Sequence, residues 1–406
     1  MKDRQLDRIC NAFLDETMEY NDLPGLVIGV QAGEERFTGA RGVRDVTTRD
    51  PLRADDVFHC ASVSKLFTSA AIMQLTEAGK LELDQPLREI LPELSIADKR
   101  WEDIKLYQML SHTSGMGDVD DYHWERALTS EHALSDYVHS EEVSALPLLW
   151  EPGEGGFRYS NIAYEILGHI VAVKSGMSYE EYVKRHLMEP AGMADSTMLT
   201  FERIGAKAGE DCPLITEEIR RRNGAGGEIC RSGAGGELCR NGAGWHPMAL
   251  PHEKAEDRSI VPVRYYPYTR SHGPSSTLTS TVSDLLKWGS IHLAGFRSAM
   301  AEDEKEKETA SPLLAADTYR KICREYATVP NNGEKMGLGW FMRRQGGCRL
   351  FGHEGTDDGF RASLWICPEK DLVICVLSNL SGAPVKKLNK KIFDRVQEAG
   401  VIPGRS

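Results

Sequence analysis

The chain has 406 residues, a formal net charge of −12 and 41% hydrophobic residues. That share supports a sizeable core, while the acidic balance argues against nucleic acid or an anionic membrane as partner, since both reward basic surfaces. No run reaches the roughly 18 apolar residues of a membrane helix.

The charged start, Met1 to Arg8, lacks the apolar region of a signal peptide. Nine scattered cysteines, an odd number, fit reduced thiols better than a disulfide framework. A cytoplasmic protein is the expectation.

In chain order, Asp3 to Tyr20 has helical spacing (Leu6, Ile9, Phe13, Leu14), Gly25 to Gln31 reads as a buried strand, and Glu35 to Gly42 as its hairpin partner. Ser62-Val63-Ser64-Lys65 then enters an apolar run that stops at Gly79, the pattern of a helix with glycine just past its end. Ser62 and Lys65 fall one turn apart on one face. The serine lies in the first turn, where the positive end of the helix dipole favours developing negative charge, and a partly buried lysine loses its proton more easily and activates such a serine. Alone, the spacing is common and reads more readily as a helix cap beside a solvated lysine.

From Leu81 to Thr200 the pattern is mostly helical. Within it, Tyr159-Ser160-Asn161 precedes a helix beginning near Ile162. Tyr159 offers a general acid/base if positive charge lowers its pKa, and Asn161 an amide for a carbonyl or for the lysine. A nine-residue glycine-rich repeat spans 222–244. Cys230, Cys239 and His246 match no zinc spacing, so a surface excursion over about 202–262 is expected and no metal site. The aromatic stretch Tyr265 to Tyr268 reads either as a pocket wall or as a packed loop.

Strands return at Gly337 to Arg343, Cys348 to Gly352, Ala362 to Cys367 and Leu372 to Asn379, followed by a helix from Val385 to Ala399. Gly352-His353-Glu354-Gly355-Thr356 falls between two of these strands, with glycines that admit close backbone approach and an exposed N–H to complete an oxyanion hole with that of Ser62. Strands and helices at both ends enclosing a helical middle suggest an α/β layer interrupted by an all-α insertion. The expected division is 1–80 with 271–406 as the α/β domain, and 81–270 as the helical one.

Ser-x-x-Lys, Tyr-x-Asn and His-x-Gly each occur once, in that order. With Leu110 to Met116, Trp150-Glu151-Pro152-Gly153, Thr277 to Leu285 and Gly337 to Trp340, the sequence resembles the β-lactamase-related serine hydrolases: AmpC-type β-lactamases, D,D-peptidases, D-aminopeptidases and CubicO-type esterases. The resemblance runs from about residue 6 to 395, apart from the excursion. It implies a β-lactamase/transpeptidase-like fold, an antiparallel sheet flanked by helices with an inserted helical domain, working without a cofactor. It also implies Ser62 as acylated nucleophile, Lys65 and Tyr159 sharing acid/base work, and Asn161 orienting substrate. His353 and Gly355 would flank the pocket, with the N–H groups of Ser62 and Thr356 as oxyanion hole. His112 is expected to hold its own loop rather than act in chemistry.

Typical serine β-lactamases carry lysine where this chain has His353. A histidine is mostly neutral at pH 7, and Glu354, Asp357 and Asp358 add acidic charge on the same strand. The sequence therefore favours an acyl-Ser62 hydrolase of small esters or amides, esterase or D-aminopeptidase-like, on neutral or amine-bearing substrates. A β-lactamase or D,D-peptidase is the alternative, and a non-catalytic binding member of the fold a second. Oligomeric state is not legible.

Overall fold

A computed structural model describes residues 5–203, 215–224, 246–301 and 311–401. Most of the glycine-rich repeat, with Cys230 and Cys239, lies outside them. The described parts of the expected excursion are packed: Asn223 exchanges hydrogen bonds with Met248 at 2.8 and 3.1 Å, and His252–Lys254 pairs with Ile260–Pro262.

The centre is an eight-stranded sheet built of β1 (Gly25–Ala32), β2 (Glu35–Gly42), β3 (Ala327–Thr328), β4 (Lys335–Met336), β5 (Phe341–Gln345), β6 (Cys348–Asp357), β7 (Phe360–Cys367) and β8 (Leu372–Ser378). Their order is β2-β1-β8-β7-β6-β5-β4-β3, and every pairing is antiparallel. Side chains alternate between the faces. Leu26, Ile28 and Val30 of β1 and Leu372, Ile374 and Val376 of β8 join one core with α1 (Gln5–Tyr20) and the C-terminal helix Val385–Glu398. Val27, Val373, Cys375 and Leu377 face the other core, which continues into the helical part of the chain. N-terminal and C-terminal segments thus complete one layered unit: β1 pairs with β8 from Leu26↔Ser378 to Ala32↔Leu372.

The helix that follows Ser62 and bears Lys65, α2 (Ser64–Glu77), is buried on nearly every side, with Ser64, Lys65, Thr68 and Ser69 enclosed beside its apolar residues. Phe67 stacks on Trp288 with centroids 3.9 Å apart, which fixes α2 against the helix Val282–Met300 beneath the sheet. Gly79 follows the helix with φ +70°, so the predicted stop is observed. In the helical part, α3 (Ala133–Val138) packs beside α4 (Asn161–Ser175). Ser160 caps α4 by accepting from Ala163 N–H at 3.1 Å, and Gly176 ends it with φ +74°.

Candidate active site

Ser62 sits in a 3₁₀ turn, Ala61–Val63, leading directly into α2. Its predecessor Ala61 is fully buried with φ +48°, a left-handed conformation that costs a residue with a Cβ on the order of 1 kcal/mol. The surrounding core holds the turn there, and one helical turn on, Lys65 Nζ lies 3.1 Å from Ser62 Oγ.

The same ammonium donates to Asn161 Oδ1 at 2.6 Å and to the Ser275 carbonyl at 2.9 Å. Three protein oxygens thus aim a fully buried lysine at the serine. Burial pulls the Lys65 pKa down to about 8, against the opposing pull of Glu165, Asp118 and Asp357.

Tyr159 completes the group, lining the same cavity as Ser62, with Lys65 Nζ 4.8 Å from its ring centroid. The proviso for Tyr159, that positive charge lower its pKa, is reversed here: burial pushes it well above 10. The phenol keeps its proton and serves as a donor. His112 stacks on Tyr159 at 4.4 Å and accepts from Ser160 N–H at 3.2 Å through Nδ1. Burial and nearby Lys65 keep it neutral, so it braces the Tyr159 loop.

The stretch Gly352 to Thr356 lies within β6 rather than between strands. β5 pairs with β6 only as far as Gly352↔Phe341, while β7 follows it from Phe351 to Asp357. From His353 onward β6 is therefore a local edge, and that edge meets the serine turn. A Cβ on Gly355 would stand 2.2 Å from the Cys60 carbonyl oxygen. Only glycine allows this approach, and Ser62 and Thr356 line the same cavity. Gly355→Ala is expected to destabilise the protein by about 1–3 kcal/mol and to lower turnover more than substrate affinity, measurable by thermal melting and steady-state kinetics.

His353 is buried, donates through Nδ1–H to the Glu354 carbonyl at 2.6 Å and is driven to a pKa of about 3 by burial and by Lys65. It is a neutral imidazole at any ordinary pH. Glu354 and Asp357 of β6, with Asp358 just past its end, line the cavity above Ser62, which measures about 580 Å³. They are partnered, however: Asp357 with His59 at 2.7 Å and with Ser276, Asp358 with Tyr265, and Glu354 with the Trp365 indole at 2.6 Å. Burial also raises the Glu354 pKa. Lys386 and Arg361 share the wall, the former paired with Glu334 at 2.7 Å. The acidic field is smaller than the bare sequence suggests.

Several residues escaped sequence reasoning. Asp118 accepts from the backbone N–H groups of Asn161 and Ile162 at 2.9 and 3.0 Å, holding the start of α4. Tyr122 accepts from Asn161 Nδ2 at 2.8 Å, so the amide's Oδ1 is left facing Lys65. Glu165, fully buried one turn beyond Asn161, binds His272 Nδ1 at 3.2 Å and the Ser275 hydroxyl. A carboxylate inside an apolar helix was the one readable signal here; the Asp118 and Tyr122 loop carried none. Tyr266 and Tyr268 prove to be core residues, Tyr266 edge-on to His59 at 5.8 Å.

Residues 10–397 match the family model described as beta-lactamase. The chain belongs to the beta-lactamase family. This is a family of serine hydrolases, and the chain is an enzyme of that kind. Among its relatives, penicillin-binding protein 4 of Amycolatopsis lactamdurans is 25% identical over 367 residues, covering 88% of this chain and 81% of that protein. Esterase EstB of Burkholderia gladioli is 29% identical over 227 residues, 53% of this chain and 57% of that protein. The D-amino acid amidase of Ochrobactrum anthropi SV3 shares the fold with a TM-score of 0.71 at 18% identity, over 98% of this chain and all (100%) of that one. The antiparallel sheet with flanking helices is the β-lactamase/transpeptidase-like fold. Among the described residues, no helix of this hydrolase is long and apolar enough to cross a membrane.

Proposed function

We propose that this hydrolase cleaves small esters or amides through an acyl-Ser62 intermediate, in the cytoplasm, as an esterase or D-aminopeptidase-like enzyme. The observation carrying the reading is the 3.1 Å contact between the Oγ of Ser62, which lines the cavity, and a buried lysine whose pKa is lowered to about 8. Neutral Lys65 takes the Ser62 proton as Oγ attacks the acyl carbon. The oxyanion forms against the backbone N–H groups of Ser62 and Thr356. On collapse the bond to the leaving alkoxide or amine breaks, and that group receives a proton from Tyr159, which regains one from Lys65. Water then attacks the acyl carbon and gives its proton to Lys65, the bond from that carbon to Ser62 Oγ breaks to release the acid, and Oγ regains the proton by way of Lys65 and Tyr159. Asn161 aims Lys65 and meets the substrate carbonyl. The free thiols Cys10, Cys60, Cys323, Cys348, Cys367 and Cys375 support a reducing compartment.

The neutral imidazole of His353 supports neutral or amine-bearing substrates, because no fixed cation stands at that position of β6 to grip a carboxylate. The competing reading, β-lactamase or D,D-peptidase activity, draws on Lys386 and Arg361 in the cavity wall. Parallel turnover of p-nitrophenyl acyl esters, D-amino-acid p-nitroanilides and nitrocefin separates the two. Neutral esters are expected to outpace their carboxylate-terminated matches, and His353→Lys to raise turnover of the latter roughly fivefold to tenfold. Comparable rates on both ester types would refute the preference, and nitrocefin as the best substrate would favour the competing reading.

A further inference from the structure

Away from the cavity, the helical part of the chain gathers three side chains with metal-binding chemistry. One ligand atom from each of Glu93, His139 and His169 lies within 4.8 Å of the other two. Each comes from a separate segment. Glu93 follows the short helix Leu87–Ile90, His139 caps the end of α3, and His169 sits on α4. Such a convergence of two imidazoles and a carboxylate from three segments is not a run of like charge on one loop.

The two histidines meet edge to face, with centroids 5.1 Å apart. His139 Nδ1 lies 2.9 Å from the Ser135 carbonyl. A carbonyl only accepts, so the ring proton is on Nδ1 and the Nε2 lone pair is presented outward. Fixing one ring nitrogen on a backbone carbonyl is how metal-bound histidines are commonly oriented. His169 is only 7% exposed and makes no ring hydrogen bond among the described residues. Glu93 supplies the anionic ligand.

We infer that Glu93, His139 and His169 form a binding site for a divalent transition-metal ion of the zinc class, with water as fourth ligand. Two imidazoles select against magnesium and calcium, which take oxygen ligands, and two histidines with one carboxylate are an established zinc donor set. Ligand atoms of one tetrahedral zinc stand about 3.3 Å apart. The gap closes through the exposed Glu93 and His139 side chains, while the buried His169 stays fixed. An ion there ties the segment after Leu87–Ile90 to α3 and α4. His169 is eight residues beyond Asn161, about 12 Å along the helix axis, so the ion braces α4 without touching the reacting groups.

The test uses the full chain stripped of metal by a chelator, then titrated with Zn²⁺ in competition with a chromophoric zinc indicator. Glu93→Gln and His139→Gln, both at exposed positions, are compared with wild type. His123→Gln is the control, because Asp121, His123 and Glu125 form a second, open cluster. Wild type and the control are expected to bind one equivalent with a rise in Tm of about 4 °C. The two ligand variants are expected to lose affinity by roughly 100-fold or more while keeping ester turnover, which reports that they fold. With Co²⁺, wild type should show ligand-field bands and no thiolate-to-cobalt charge transfer, which separates this site from the cysteines. Undiminished binding by either ligand variant, a thiolate band, or no stoichiometric binding by wild type overturns the assignment.

Discussion

Ser62→Ala is expected to lower kcat/KM for activated acyl esters by about 10⁴-fold or more, while leaving the fold intact. Ser62 lies in a turn whose geometry is set by neighbours rather than by its hydroxyl: Ser64 Oγ donates to the Ala61 carbonyl at 2.8 Å and accepts from Leu278 N–H at 2.9 Å. A fluorophosphonate probe should add its mass to wild type and not to the variant. Labelling of Ser62→Ala at the wild-type rate would place the nucleophile elsewhere. An unlabelled wild type across pH 6–9 would undo the enzyme mechanism as written.

The second large effect concerns the base. Lys65→Met should reduce turnover by about 10³-fold, the scale of a lost general base, and should change the pH profile. Lysine accepts a proton only when neutral, so kcat/KM should climb tenfold per unit below pH 8 and level off above it, with an apparent pKa of about 8. Of the groups around Ser62, His353 is driven to about 3, His112 lies well below 6.5 and Tyr159 well above 10. Among these four, only Lys65 changes charge between pH 6 and 9. The rising limb should vanish in Lys65→Met; its survival would assign it to another residue. The same depressed pKa has a stability consequence. Unfolded Lys65 binds its proton up to about 10.5, so the cost of its burial is complete below pH 8 and fades as pH rises from there.

The two effects differ in kind, because in the proposed mechanism Ser62 carries the acyl group and is regenerated at each turnover, whereas Lys65 is tuned by its surroundings. Its tuning rests on a fully buried position whose hydrogen-bond partners are oxygens supplied by Asn161 on α4 and by the turn at Ser275. The carboxylates that restrain the shift are themselves tied down, Asp118 by the α4 backbone, Glu165 by His272 and Ser275, and Asp357 by His59. A substitution at any of these is a change in the lysine.

Periodicity and punctuation in the chain were enough for the elements that carry the site. The apolar run after Ser62, the alternating strands at both ends and Gly79 past the helix were all legible, because each depends on local spacing alone. Motif order placed Ser62, Lys65, Tyr159 and Asn161 as candidates, and the fold brings the four together. His353, Gly355 and Thr356 were legible as residues but not as a strand, since nothing local announces that β5 stops pairing at Gly352 and leaves the rest of β6 as an open edge. The charge states were settled by tertiary structure alone. Burial turns Lys65 into a base near neutral pH, fixes Tyr159 as a phenol, keeps His353 neutral, and partners the carboxylates of β6. Sequence named the candidate nucleophile and its neighbours because spacing along a helix is local; what each can do with a proton depends on desolvation and on partners remote in the chain.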